Sequence, residues 1–199
     1  ECREEASKRV IGQTQIIDGI LTALLTEGHI LLEGVPGLAK TLAVKTFAEI
    51  SGMDFKRIQF TPDLMPADVT GTNIIVKDEL GNSKFQFQEG PIFSNIILAD
   101  EINRTTSRTQ SALLEVMEEN QITVDGYTIK AHNPFNVIAT QNPFGSAGTQ
   151  RLPESQVDRF MICLSLGYPD SKSEVEILRR KQLSNIIKER QHHHAVDIS

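Results

Sequence analysis

The chain has 199 residues, 39% hydrophobic and 23% charged, ordinary globular proportions that exclude a disordered chain and allow one real core. Twenty lysines and arginines against 26 aspartates and glutamates leave a formal charge of −6, which argues against a general nucleic-acid coat or an anionic membrane surface as partner, though not against a local basic groove. No apolar run is long enough to span a bilayer, and Cys2 and Cys163 lack CxxC spacing, so neither zinc nor a disulfide framework is expected and a reducing cytoplasm is the default. The chain starts at Glu1 without a methionine and shows no signal peptide; it is expected to be a cut segment.

Taken in chain order, helical spacing runs from Ile11 to Leu25 through Ile16, Ile17, Ile20, Leu21, Leu24 and Leu25. His29 to Glu33 reads as a short buried strand ending at Gly34, and Lys40 to Ile50 returns to a helix that Gly52 can stop. Further short strands are expected at Arg57 to Phe60, Asn95 to Asp100, Phe135 to Thr140 and Phe160 to Leu166, with a helix from Thr105 to Asn120. Short apolar strands alternating with helices imply a parallel sheet covered on both faces. Two segments break that rhythm as β-hairpins: Thr72 to Gln88, turning at Asp78 to Asn82, and Ile122 to Ala131, turning at Asp125-Gly126. A charged helix from Ser173 to Lys188 follows a domain boundary near residue 168. Phe85, Phe87 and Phe93 read as core packing of the first hairpin, with a substrate-gripping surface as the alternative; His29 and His132 read as packing or edge residues; His192 to His194 read as a solvated tail, with a metal tract or part of a tag as the alternative.

The chemistry-bearing residues sit where strands end. Gly34-Val35-Pro36-Gly37-Leu38-Ala39-Lys40-Thr41 follows a strand and opens a helix, the setting in which backbone N–H groups and a helix N-terminus cradle a polyphosphate. In the pattern GxxxxGK[ST], the lysine reaches the β- and γ-phosphates and the hydroxyl coordinates Mg²⁺; Ala39 departs from it where a glycine is usual, and a Gly-rich turn is the alternative. About 60 residues later, an apolar strand ends in Asp100 and Glu101, which suit a Mg²⁺ shell and the polarisation of a water, against a plain acidic turn. Asn142 closes the next strand and could meet a γ-phosphate or simply open a turn before Pro143. Arg159 reads either as an arginine finger or as one half of a surface ion pair with Asp158 or Glu154.

The runs GVPGLAKT (34–41), FTPDLMPADVTG (60–71), ILADEINR (97–104), ATQNP (139–143) and LPESQVDRF (152–160) occur in an order that resembles the MoxR family of AAA+ ATPases, across residues 10–169. Val10-Ile11-Gly12-Gln13 is similar to that family's adenine-side box, and its LAKT accommodates Ala39. The resemblance implies an α/β P-loop core with a five-stranded parallel sheet, the first hairpin as a helix-2 insert and the second as a pre-sensor-1 hairpin. It implies an ATP hydrolase with Gly34 to Thr41 as Walker A, Asp100 and Glu101 as Walker B, Thr41 and Asp100 on Mg²⁺, and Asn142 as sensor 1. Arg159 becomes the finger supplied to a neighbour, with Arg151 and Arg104 next in line. It further implies a homo-oligomer, a hexamer, that remodels or matures a protein client such as a von Willebrand factor A domain protein or a metalloenzyme. Residues 1–168 would form the core and 169–199 the start of a truncated helical lid, with no residue matching sensor 2. Two alternatives stand beside it: a nucleotide-binding regulatory scaffold that hydrolyses little, and a DNA-dependent motor, against which the acidic balance counts.

Overall fold

The structure, a computed structural model, describes residues 2–10, 14–34, 40–78, 81–124, 126–142, 151–166 and 179. Two helices, α1 (Cys2–Arg9) and α2 (Thr14–Thr26), precede strand β1 (Ile30–Gly34), helix α3 (Lys40–Ser51) and strand β2 (Phe55–Gln59). A short α4 (Pro66–Thr70) leads into the hairpin β3 (Gly71–Lys77) and β4 (Ser83–Glu89). Then come β5 (Ile96–Asp100), a 3-10 turn (Ile102–Arg104) and α5 (Ser107–Glu119). A second hairpin, β6 (Gln121–Val124) and β7 (Tyr127–Lys130), precedes β8 (Asn136–Gln141), α6 (Glu154–Val157) and β9 (Ile162–Leu166). The expected boundary at 168, the charged helix from Ser173 apart from Arg179, and the histidine tract lie outside the described residues.

Five strands pair in the order β2-β5-β8-β1-β9, every pair parallel. A strand sends successive side chains to opposite faces, so its continuous apolar run must be buried on both. On one face Leu31, Ile97, Ala99, Val137 and Ala139 pack with Leu113, Leu114, Val116 and Met117 of α5. On the other, Ile30, Leu32, Ile96, Leu98 and Ile138 meet Ile16, Ile17 and Ile20 of α2 and Ala43, Val44 and Phe47 of α3. At about 25 cal/mol per Å² of apolar surface buried, these two layers dominate the stability of the domain. Thr106 caps α5, its hydroxyl accepting from the Thr109 amide at 3.4 Å, and Asn120 ends the helix in a left-handed conformation. No helix among the described residues is long and apolar enough to cross a membrane.

The hairpins form at the expected places, but one packing expectation is corrected. Phe87 packs edge-on to buried Phe93 at 5.8 Å between ring centroids, whereas Phe85 is 77% exposed. Phe85 pairs across the hairpin with Ile75, also exposed, nearer the turn than the Phe93 ring reaches.

At the opposite edge of the sheet, His29 is buried with both ring nitrogens engaged. Nδ1 accepts from the Val137 amide at 3.1 Å, so Nε2 carries the proton and donates to the Met117 carbonyl at 3.1 Å. Burial holds its pKa below the ordinary histidine value of 6.5, opposed by the Met117 bond. The unfolded chain therefore binds this proton more readily, and the stabilisation is present above about pH 6.5 and lost as pH falls. The melting temperature is expected to drop below pH 6.5 with a contribution from this site of at most about 1.4 kcal/mol per pH unit. That slope should flatten in His29→Gln; an unchanged pH profile in the variant would refute the assignment.

Candidate active site

A cleft of about 570 Å³ opens at the C-terminal edge of the sheet, the edge at which open α/β sheets bind ligands. Each central strand delivers a polar terminus to it: β1 ends at Gly34, β5 at Asp100 and β8 at Gln141, next to Asn142. Lys40 and Thr41 enter from the first turn of α3. Val35, Pro36, Gly37, Leu38 and Ala39, the loop between β1 and α3, lie outside the described residues, as do Ile11 to Gln13.

Lys40 is buried, and its Nζ donates to the Gly34 carbonyl at 3.3 Å. Burial pushes its pKa below the ordinary lysine value while the carboxylates of Asp100 and Glu101 pull it back. A partly desolvated ammonium whose one hydrogen bond among the described residues is long suits a phosphate oxygen.

Thr140 fixes both acids. Its hydroxyl donates to Asp100 Oδ1 at 2.6 Å and accepts from the Glu101 amide at 2.8 Å. Glu101 adopts a left-handed backbone with φ 56°, unusual for a residue with a side chain and tolerated where surrounding bonds determine it. Its Oε2 accepts from Gln59 Nε2 at 3.0 Å and from Arg104 Nη1 at 2.7 Å. Arg57 donates to Asp100 Oδ2 at 2.6 Å and to Gln59 Oε1 at 2.8 Å. The cleft thus holds three cations, Lys40, Arg57 and Arg104, against two carboxylates, a local basic balance within an acidic chain.

The structure therefore brings Gly34, Lys40, Thr41, Asp100, Glu101 and Asn142 to one cleft. Arg104, an expected substitute finger, lies in its own chain's cleft on Glu101. Arg159 stands apart: its Nη2 pairs with Glu118 Oε2 at 3.1 Å, in a hollow with Ser111, Glu115 and Gln156. The partner is Glu118 of α5 rather than Asp158 or Glu154, which belong to its own short turn. Arg57 and Gln59 belong to no motif, and Thr140 falls inside the ATQNP run, which assigns it no role. The sequence signal they share is position: each is a polar residue at or near the end of a short strand.

Among the described residues the donors suit a magnesium nucleotide, with Arg57 the cation already paired to Asp100. The Thr41 hydroxyl and the Asp100 carboxylate are hard oxygen donors, the kind Mg²⁺ takes together with phosphate oxygens and water.

Residues 29–162 match the family described as "ATPase family associated with various cellular activities (AAA)". The chain is 50% identical over 184 residues to the YeaC protein of Bacillus subtilis, covering 92% of this chain and 57% of that protein. It is 49% identical over 176 residues to Chaperone MoxR1 of Mycobacterium tuberculosis, covering 88% of this chain and 46% of that protein. A crystal structure from Cytophaga hutchinsonii superposes with a TM-score of 0.81 at 52% identity, covering 91% of this chain and 54% of the other. The chain thus spans about half the length of the relatives it matches.

Proposed function

The chain belongs to the MoxR family of AAA+ ATPases, and we propose that it hydrolyses Mg²⁺-ATP in this cleft to remodel or mature a client protein from within a homohexameric ring. The observation that carries the reading is the convergence of Lys40, Thr41, Asp100, Glu101 and Asn142 on the C-terminal edge of one parallel sheet. Lys40 draws the β- and γ-phosphates onto the loop that Gly34 begins, while Thr41 and Asp100 hold Mg²⁺. The metal, when bound, neutralises charge developing on the transferred phosphoryl group. Glu101 accepts the proton of the attacking water, and Asn142 orients the γ-phosphate or that water.

Arg159 is not among the described residues that line its own cleft, which supports its reaching a neighbour's nucleotide in a head-to-tail assembly. The chaperone naming of a relative at 49% identity supports a protein client, of which a von Willebrand factor A domain protein is the candidate. The free thiol of Cys163 suits a reducing cytoplasm.

The test is Lys40→Ala, which removes the ammonium buried beside the β1 terminus. ATP affinity in titration calorimetry is expected to fall below detection, with turnover lost in parallel. Unchanged affinity would overturn the nucleotide site. A turnover rate per subunit that rises with protein concentration would support shared sites.

A further inference from the structure

We propose that Gln141 is a positioning residue that fixes the segment bearing Arg159 to the strand beneath the chain's own phosphate loop. The proposal rests on the reading of Arg159 as a finger given to a neighbour. Gln141 ends β8, is 3% exposed, and lies in register with Glu33, the residue before Gly34. Its Nε2 donates to Glu33 Oε1, and its Oε1 accepts from the Leu152 amide at 3.4 Å.

Leu152 begins a continuous backbone path to Arg159. The Pro153 carbonyl accepts from the Gln156 and Val157 amides at 2.9 and 3.1 Å, and the Glu154 carbonyl from Asp158 at 3.0 Å. The Gln156 carbonyl then accepts from Arg159 itself at 3.4 Å. Leu152 and Phe160, at the two ends of this turn, are both buried in the same core. Beyond it, β9 pairs with β1 from Ile30↔Ile162 onward. The base of the finger is therefore tied to β1 twice, by β9 after it and by the Gln141–Glu33 bond before it.

The Gln141 amide serves both sides of this site. It donates to a carboxylate and accepts from a backbone N–H at once. Glutamate would set two carboxylates against each other, and leucine would leave the Glu33 oxygen and the Leu152 amide without this partner. Asn142, the next residue, is held through its carbonyl by Asn103 Nδ2 at 3.4 Å. Both adjacent positions line the chain's own cleft, and Gln141 also holds the segment that leads to Arg159.

Gln141→Met removes both bonds at nearly constant volume. It is expected to keep ATP affinity and to lower kcat on the order of 10²-fold, the scale of a group misplaced by about 1 Å. Because Gln141 also borders its own cleft, mixing decides which site suffers. Mixed with Lys40→Ala, which keeps its finger, Gln141→Met should regain turnover; mixed with Arg159→Ala, it should not. The reverse pattern, recovery in both or recovery in neither would overturn the proposal. A control mixture of Lys40→Ala with Arg159→Ala must recover activity; its failure would refute the finger itself, and this proposal with it. Gln141→Asn, one methylene shorter and equally polar, carries the same expectation should the methionine variant fold poorly.

Discussion

Arg159→Ala is expected to bind ATP with near-native affinity and to hydrolyse it about 10³–10⁵-fold more slowly. That loss corresponds to about 4–7 kcal/mol of barrier. The bond Arg159 makes within its own chain cannot account for such an effect. Its 3.1 Å pair with Glu118 joins side chains that are 35% and 58% exposed, and pairs of this kind contribute about 0–1 kcal/mol. Melting temperature should therefore barely move while turnover collapses, and this divergence separates a finger from a structural ion pair. On the proposed reading, the same weakness lets Arg159 leave Glu118 for a neighbour's nucleotide. Glu118→Gln should leave turnover close to normal. Near-native hydrolysis by Arg159→Ala at concentrations where subunits associate would return Arg159 to the surface ion-pair reading.

The parts of this fold legible in the sequence are those whose signal is local. The short apolar runs at Ile30 and Ile96 had to be strands buried on both faces, and the alternation of Thr72 to Gln88 had to be a hairpin. Among the described side chains, α1 buries Ala6, with Val10 just beyond its end, too little periodicity to detect, and α4 is five residues long. Strand β2 begins at Phe55, two residues before its expected start, because Phe55 to Gln59 is mostly polar and its boundary is set by pairing with β5. Phe85 has the same strand phase as Phe87, and nothing local reveals that only Phe87 reaches the body of the domain.

The site divides along the same line. Lys40, Thr41, Asp100 and Glu101 are visible as contiguous runs because a phosphate loop and a strand terminus are each built from adjacent residues. Arg57 on Asp100, Gln59 on Glu101 and Thr140 on both acids join residues roughly 40 positions apart, and only the order β2-β5-β8 brings them together. Gln141 is the extreme case. Its partners lie on β1 and at Leu152, and no spacing in the sequence links the three.

Glu101→Gln is expected to bind ATP normally and to lower kcat by about 10²–10⁴-fold, the usual contribution of a positioned general base. The substitution keeps shape and an acceptor oxygen but cannot take the proton of water. The surroundings make it a clean test. The Glu101 amide is held by Thr140 at 2.8 Å and the left-handed backbone is already determined, so glutamine inherits the same conformation. Arg104 keeps an oxygen to donate to, and its exposed pair with the carboxylate contributes only about 0–1 kcal/mol. Stability and affinity should therefore hold while single-turnover hydrolysis slows, placing the loss in the chemical step rather than in binding. The Arg104 and Gln59 bonds also bear on mechanism, because both donate to the same carboxylate oxygen, Oε2. Arg104→Ala should free the carboxylate oxygen for water and leave turnover within about tenfold of the parent, far above Glu101→Gln. Turnover near the parent rate in Glu101→Gln would place the base on another residue of the cleft, and an Arg104→Ala defect as deep as that of Glu101→Gln would make the arginine part of the chemistry.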